Sequence, residues 1–230
     1  MPSSAPRPAQ VTHAMEDYLK SIYELSLDHE QVSTSLLAER VGVRPASVSG
    51  MIRSLADLHL VEHTPYYGVK LTATGQRIAL EVLRHHRLIE LYLVEALGFS
   101  WDEVHDEADR LEHVISEKFE ARIAAMLGHP TTDPHGAPIP MLDGTVPHRA
   151  SACLADMLGG STWEITRVRG DEFPDQLQYL ESLGLIPGNQ VTVLSVSPFD
   201  GPLMVQVNQH MYPLDRRLAR LIYVAQEHTS

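Results

Sequence analysis

A change of hydrophobic period partway along the chain restricts the fold more than any other feature. Ahead of residue 129, apolar residues recur at helical spacing. After a Pro/Gly-rich stretch at 129–161 they alternate with polar residues, as in strands that bury one face. Periods of 3.6 and 2 cannot be satisfied by one kind of element. The chain is therefore expected to be mainly α with a small β domain.

The helical part divides further. Met15, Tyr18, Leu19, Ile22, Tyr23 and Leu25 form one stripe within 14–28. STSLLAERV (33–41) begins with a capping hydroxyl, Ser33 or Thr34, and ends before Gly42. Pro45 then sits where a helix's first turn tolerates proline. Val48, Met51, Ile52, Leu55 and Leu58 would be the buried face of the helix that follows. Helix, Gly-containing turn, helix is the helix-turn-helix pattern. LVEHTPYYGVKLTATG reads next as two short strands around a Tyr-Tyr-Gly turn, a wing, with Thr72 or Thr74 capping the next helix. In such a winged unit the second helix of the motif enters the DNA major groove. The residues placed to contact DNA are Arg44, Pro45, Ala46, Ser47, Ser49, Gly50 and Arg53, with Tyr66, Tyr67 and Lys70 on the wing. Beyond residue 161, STWEITRVRG, NQVTVLSVSP, GPLMVQVNQ and HMYPLD alternate, and only DQLQYLESLG reads as a helix. About five short strands with one helix predict a small β-barrel.

Ligand chemistry concentrates in the middle. Taken as a helix at about 100° per residue, HDEADRLEH (105–113) places Asp109 about 40° from His105, Glu112 about −20° and His113 about 80°. Four potential metal ligands thus share a face, beside an apolar stripe of Val104, Ala108, Leu111 and Ile115. Carboxylates next to a buried face are costly unless paired or bound to a cation. His86 and Glu90, four apart on another helical stretch, form a second pair. The plain alternative is a set of solvated charges, since such pairs are common on helix surfaces.

Charge sets a condition on DNA binding. The chain carries 18 Lys+Arg against 30 Asp+Glu, a net −12. Through Gly75 there are six Lys/Arg against eight Asp/Glu, so not even the winged segment is basic. DNA binders are usually basic at least locally. Binding here must rest on a few placed cations, helix N-termini and neutralisation elsewhere, and each divalent ion taken up by the acidic cluster supplies two charges. One cysteine, Cys153, excludes an internal disulfide and fits a reducing cytoplasm. No apolar run approaches the ~18 residues of a membrane span. The first dozen residues read as a tail rather than a signal peptide.

Together, MEDYLKSIYEL, the helix-turn-helix with its wing, HRLIE…HDEADRLEH and LESLGLIPGNQVTV resemble the diphtheria-toxin-repressor family of metal-dependent transcriptional repressors, which includes the manganese transport regulators. The resemblance runs over about residues 13–228. It implies a tail (1–12), a winged helix-turn-helix domain (13–74), a helical metal-binding and dimerisation domain (75–143), a linker (144–160) and an SH3-like, FeoA-like domain (161–230). It implies a primary metal site of Asp17, Asp109, Glu112 and His113, which would tie the DNA-binding domain to the dimerisation helices. An ancillary site would use His86, Glu90 and His105, with Glu172 and Gln176 from the SH3-like domain. Phe173 stands where the family's second donor from that domain is expected, and Asp171, Glu172 or Asp175 could substitute. Lys20 departs from a carboxylate that some manganese-responsive members use. Iron-responsive members place Met and Cys where this chain has Asp17 and Asp109. The exchange of sulfur for oxygen favours harder cations, so Mn²⁺ is the expected effector and Fe²⁺ the alternative, with Zn²⁺, Co²⁺ or Cd²⁺ able to substitute in vitro.

The resemblance implies a homodimeric, cytoplasmic repressor of metal-uptake genes acting on a palindromic DNA operator, and no enzyme. Two other classes stay open from the residues alone. A metalloenzyme lacks support, since HExxH and the paired Glu-x-x-His of ferritin-like bundles are missing. A metal-storage or adaptor protein would use the helix-turn-helix for protein contacts only. The remaining histidines, His135 among them, have no spacing partner and are expected to hold no metal.

Overall fold

A computed structural model describes residues 11–64, 67–170 and 173–226. The chain divides into two compact units, one running to His85 and including Pro140–Thr145, the other comprising His86–Ile139 and the chain from Val146.

The first unit opens with α1 (His13–Ser26), capped by the Thr12 side chain, which accepts from the Met15 amide. Its apolar stripe buries Tyr18, Leu19, Ile22 and Tyr23. α2 (Thr34–Val41) starts where the Ser33 hydroxyl accepts from the Leu36 amide at 3.1 Å. It stops at Gly42, whose φ of 70° is the left-handed conformation that a side chain would disfavour. Pro45 opens α3 (Pro45–Asp57), which buries Val48, Ile52 and Leu55 against the unit's core. β1 (Val61–Thr64) and β2 (Gly68–Leu71) pair antiparallel from Val61↔Leu71 to Thr64↔Gly68. This is the winged helix-turn-helix expected from the sequence. Thr72 accepts from the Gly75 amide and so caps α4 (Ala73–Leu97), a 25-residue helix whose first half belongs to this unit.

In the second unit the later part of α4 presents Ile89 and Leu93 to Val104 and Ala108 of α5 (Val104–Leu111). Leu88 packs with Ile123 and Ala124 of α6 (Glu117–Met126) and with Ile139. The segment expected as a linker holds structure of its own: β3 (Ala152–Cys153) and a single 3₁₀ turn, Leu154–Asp156. There follow β4 (Ser161–Val168), α7 (Pro174–Ser182), β5 (Gln190–Val196), β6 (Leu203–Val207), β7 (His210–Leu214), α8 (Arg216–Ala219) and β8 (Ile222–Ala225). The six strands form one antiparallel sheet in the order β3-β8-β4-β5-β6-β7. The fold class is as expected, but the barrel does not close. β3 and β7 stay at opposite edges, and register shifts at Ile165/Arg167 and Val193/Ser195 curl the sheet instead. Inward-facing Ile165, Val191, Val193, Leu203, Val205 and Val224 share a core with Leu177 and Leu180 of α7. Trp101, from the loop ahead of α5, is buried in that same core. Trp163 is half-buried against it. Among the described residues no helix is long and apolar enough to cross a membrane.

Candidate metal centre

One turn of α4 carries His86 and Glu90, and one turn of α5 carries His105 and Asp109. The apolar packing of the two helices brings these pairs face to face. His86 stands at the centre. Its Nε2 lies 3.0 Å from Glu90 Oε1 and 3.2 Å from His105 Nδ1. Its Nδ1 lies 2.5 Å from Glu112 Oε2 and 3.2 Å from Asp109 Oδ1. His105 Nε2 lies 3.7 Å from Asp109 Oδ2, and His113 Nε2 lies 3.3 Å from Glu112 Oε1. His86, Glu90 and Glu112 are buried, whereas the Asp109 side chain is 47% exposed. His86, His105 and Asp109 each offer a ligand atom, all within 4.8 Å of one another, so this trio can hold one ion.

One local expectation needs correction. The 105–113 segment is not helical to its end: α5 stops at Leu111. Glu112 keeps its helical place, its amide still donating to the Ala108 carbonyl at 2.9 Å. His113 and Val114 form a turn before Ser116 caps α6, and His113 stays beside Glu112, its Nε2 3.3 Å from Glu112 Oε1. Asp17 lies on α1 in the first compact unit and is half-buried. Gln176 is half-buried in the first turn of α7. Glu172 and Asp171 lie outside the described residues.

A further cluster was not anticipated. Glu90, Asp133 and His135, all buried, likewise offer ligand atoms within 4.8 Å of one another. His135, expected to hold no metal, belongs to it. Its Nε2 donates to the Trp101 carbonyl at 2.7 Å. In the neutral ring this leaves Nδ1 with a lone pair and no hydrogen. Nδ1 faces Glu90 Oε2 at 3.9 Å, and neither atom has a hydrogen-bond partner among the described residues. Two buried acceptors facing each other are what a cation completes, since ligand atoms about 2.0–2.2 Å from an ion stand well apart from one another. Asp133 supports the loop: its Oδ1 accepts from the His135 and Ala137 amides at 2.8 and 2.9 Å. Its Oδ2 lies 3.6 Å from Arg87 Nε. The sequence signal was thin, an Asp-Pro-His run in a proline-rich loop, because its partner Glu90 comes from a distant helix.

Glu90 joins the two clusters. Burial opposes its ionisation most strongly. The charge of His86 and hydrogen bonds from His105 and His86 outweigh that and hold its carboxyl well below the usual range. A buried carboxylate kept ionised among imidazoles and other carboxylates is suited to ligate a divalent ion.

On the winged unit, Arg44, Pro45, Ala46, Ser47, Gly50, Arg53, Tyr67 and Lys70 are exposed, and Ser49 is half-buried. Ser49 donates to the Pro45 carbonyl of its own helix at 3.0 Å, and Lys70 lies 3.4 Å from Glu30. Arg44 and Arg53 are thus the cations most openly presented on and beside α3. Tyr66 lies outside the described residues.

Comparison with known proteins matches successive segments of the chain. Residues 10–69 match the iron-dependent repressor N-terminal DNA-binding domain, 72–141 the iron-dependent repressor metal-binding and dimerisation domain, and 153–226 the FeoA domain. The chain is 32% identical to the iron-dependent repressor IdeR of Mycobacterium tuberculosis, over 94% of this chain and 98% of that protein. The chain belongs to the iron-dependent repressor family, that of the diphtheria toxin repressor. It is a metal-dependent, DNA-binding transcriptional repressor. Among solved structures it is similar to a manganese-dependent transcriptional repressor in complex with manganese, at TM-score 0.86 and 40% identity, covering 93% of this chain and 100% of that one. It is also similar to ScaR with bound Cd²⁺, at TM-score 0.81 and 31% identity, over 93% and 99% of the two chains.

Proposed function

We propose that this repressor responds to Mn²⁺, with Fe²⁺ the second reading, and that it acts as a homodimer on palindromic operators of metal-uptake genes in the cytoplasm, without enzymatic activity. The observation that carries the choice of metal is the donor set. Among the described residues the candidate clusters hold only imidazole nitrogens and carboxylate oxygens, and Cys153 lies in none of them. Such donors suit Mn²⁺ and Fe²⁺, while thiolate and thioether select softer ions. Because affinity at a generic site rises from Mn²⁺ to Fe²⁺ and beyond, selectivity for Mn²⁺ must come from geometry and availability.

Three roles follow within this reading. His86, Glu90 and His105, with Asp109 nearby, hold an ion between α4 and α5. Asp17, Asp109, Glu112 and His113 form the primary site, as the family resemblance implies, and link the winged domain to the dimerisation helices. Glu90, Asp133 and His135 hold a further ion. Metal then favours the DNA-competent arrangement by binding it more tightly than the alternatives. Arg44, Pro45, Ala46, Ser47, Ser49, Gly50 and Arg53 meet the operator, with Tyr67 and Lys70 on the flanking backbone.

The test is an anisotropy titration of the dimer against DNA upstream of metal-uptake genes. It is run in chelator, Mn²⁺, anaerobic Fe²⁺ and Zn²⁺ at one fixed salt concentration, because affinity is salt-dependent. Operator binding in Mn²⁺ but not in chelator is expected. Binding promoted by Fe²⁺ at concentrations where Mn²⁺ fails would replace manganese by iron. Asp17→Met, which places a thioether in the primary site, should move the ranking toward Fe²⁺ in the same assay; an unchanged ranking would remove donor softness as the explanation.

A further inference from the structure

We propose that Gly50 is the point at which α3 comes closest to operator DNA, and that the absence of a side chain there sets the fit to the specific sequence. This rests on the reading of α3 as the helix that meets the operator.

Of the chain's 14 glycines, Gly50 alone has no reason within the fold to be one. Every other glycine either holds a positive φ or lies where an added Cβ would stand within 3.0 Å of a neighbouring atom. Gly50 is helical and exposed, and a Cβ built on it meets nothing within 4 Å. It occupies the interior of α3, where glycine is the least favoured residue after proline because it has the most backbone freedom to lose. At about 100° per residue, Val48, Ile52 and Leu55 of the buried face stand roughly 140–200° away from it. Gly50 therefore lies at the middle of the outward face. Alanine would make α3 more stable, so the cause of the glycine lies in what α3 meets.

Ala46 and Ser47, one turn earlier, are exposed and short. The Ser49 and Ser54 hydroxyls turn back on the helix, donating to the Pro45 carbonyl at 3.0 Å and the Gly50 carbonyl at 3.3 Å. Sequence is read where side chains touch base edges in the groove, while phosphate contacts position the helix without reading sequence. A side chain at the middle of the outward face would reach the groove floor first and hold Ala46 and Ser47 off the bases. Arg53, with its long side chain, tolerates the greater separation. Close seating matters more here than in a basic protein. Through Gly75 the chain has six Lys/Arg against eight Asp/Glu, so sequence-independent attraction to phosphate is weak.

The experiment uses the full-length dimer in whichever of Mn²⁺ and Fe²⁺ supports operator binding by the wild type. Affinity for operator DNA and for a scrambled duplex is measured by anisotropy at several salt concentrations, and melting temperature by circular dichroism. The variants are Gly50→Ala, Gly50→Leu and Arg53→Ala. Gly50→Ala should raise the melting temperature by about 2–4 °C and yet weaken operator binding. Gly50→Leu should weaken it further, roughly 5–150-fold, the cost of one mismatched base pair. Affinity for the scrambled duplex and the salt slope should not change in either, because no phosphate contact is lost. Arg53→Ala should weaken binding to both duplexes and lower the salt slope by about 1. Operator affinity unchanged in both Gly50 variants, with Arg53→Ala weakened, would overturn the close approach and leave α3 as the helix that meets DNA. Unchanged binding in all three variants would remove α3 from the operator and the role of Gly50 with it. A melting temperature lowered by Gly50→Ala would mean that the fold itself requires glycine there, and equal losses on both duplexes would mean a general disturbance of the winged unit; either result rejects the fit.

Discussion

Glu112→Ala is expected to abolish metal-stimulated operator binding, leaving affinity in Mn²⁺ equal to that in chelator. The side chain is buried and faces two imidazoles, with one oxygen 2.5 Å from His86 Nδ1 and the other 3.3 Å from His113 Nε2. Its removal takes away a proposed primary-site ligand and also unseats His86. The quantity at stake is the whole coupling between metal and DNA. Allosteric couplings are typically about 1–3 kcal/mol, or roughly 5–150-fold in affinity. Circular dichroism and sedimentation should still report a folded dimer, since the apolar seams around Leu88, Ile89 and Leu93 are untouched. Glu112→Gln separates the two losses: it retains a hydrogen-bonding group for His86 but removes the charge. Stimulation by Mn²⁺ that survives in both variants would remove Glu112 from the switch.

Glu90→Gln is expected to cost more than its place in an ancillary pair implies. By sequence spacing alone Glu90 is one half of an i,i+4 couple with His86, and its loss should weaken activation only in part. In the folded chain its Oε1 lies 3.0 Å from His86 and 3.5 Å from His105, while its Oε2 faces His135. A single substitution thus strips a ligand from two clusters. With second-sphere changes alone worth about 10–100-fold, loss of this carboxylate should lower Mn²⁺ affinity at least about 100-fold, or ~2.8 kcal/mol, for both ions. Isothermal titration of Glu90→Gln beside His105→Ala checks this. The first should lose two classes of site and the second one. Equal losses in the two variants would mean that Glu90 serves a single centre.

The legible parts of this protein are those written in local spacing. Ser33, Gly42 and Pro45 mark the ends of α2 and the start of α3, because capping hydroxyls, left-handed glycines and first-turn prolines act within a few residues. The pairs His86/Glu90 and His105/Asp109 were visible for the same reason: residues four apart on a helix must share a face. The winged unit and the β-rich end followed from periods of 3.6 and 2.

What escaped is equally instructive. The pattern of 105–113 reads as one unbroken helix, yet the chain leaves it after Leu111 because Ser116 caps the next one. About five short alternating strands imply a barrel, but alternation says which face is buried and not which edges meet, and the sheet stays open between β3 and β7. His135 had no partner at any helical or strand spacing. Its partners are Glu90 on α4 and Trp101 ahead of α5, brought to it only when the 133–137 loop docks on β4.

The amino-acid sequence by itself therefore determined the family, the order of helix and sheet, and the ligand pairs carried on single helices, since each depends on short-range periodicity or on motifs held in one segment. The tertiary structure alone decided that His86 bridges Glu90 and Glu112, that Glu90 faces two clusters, and that the Asp133–His135 loop sits against the SH3-like sheet. These are contacts between residues far apart in the chain. They exist because burial of the apolar seams of α4, α5 and β4 forces buried carboxylates and imidazoles together, where they must find one another or a cation.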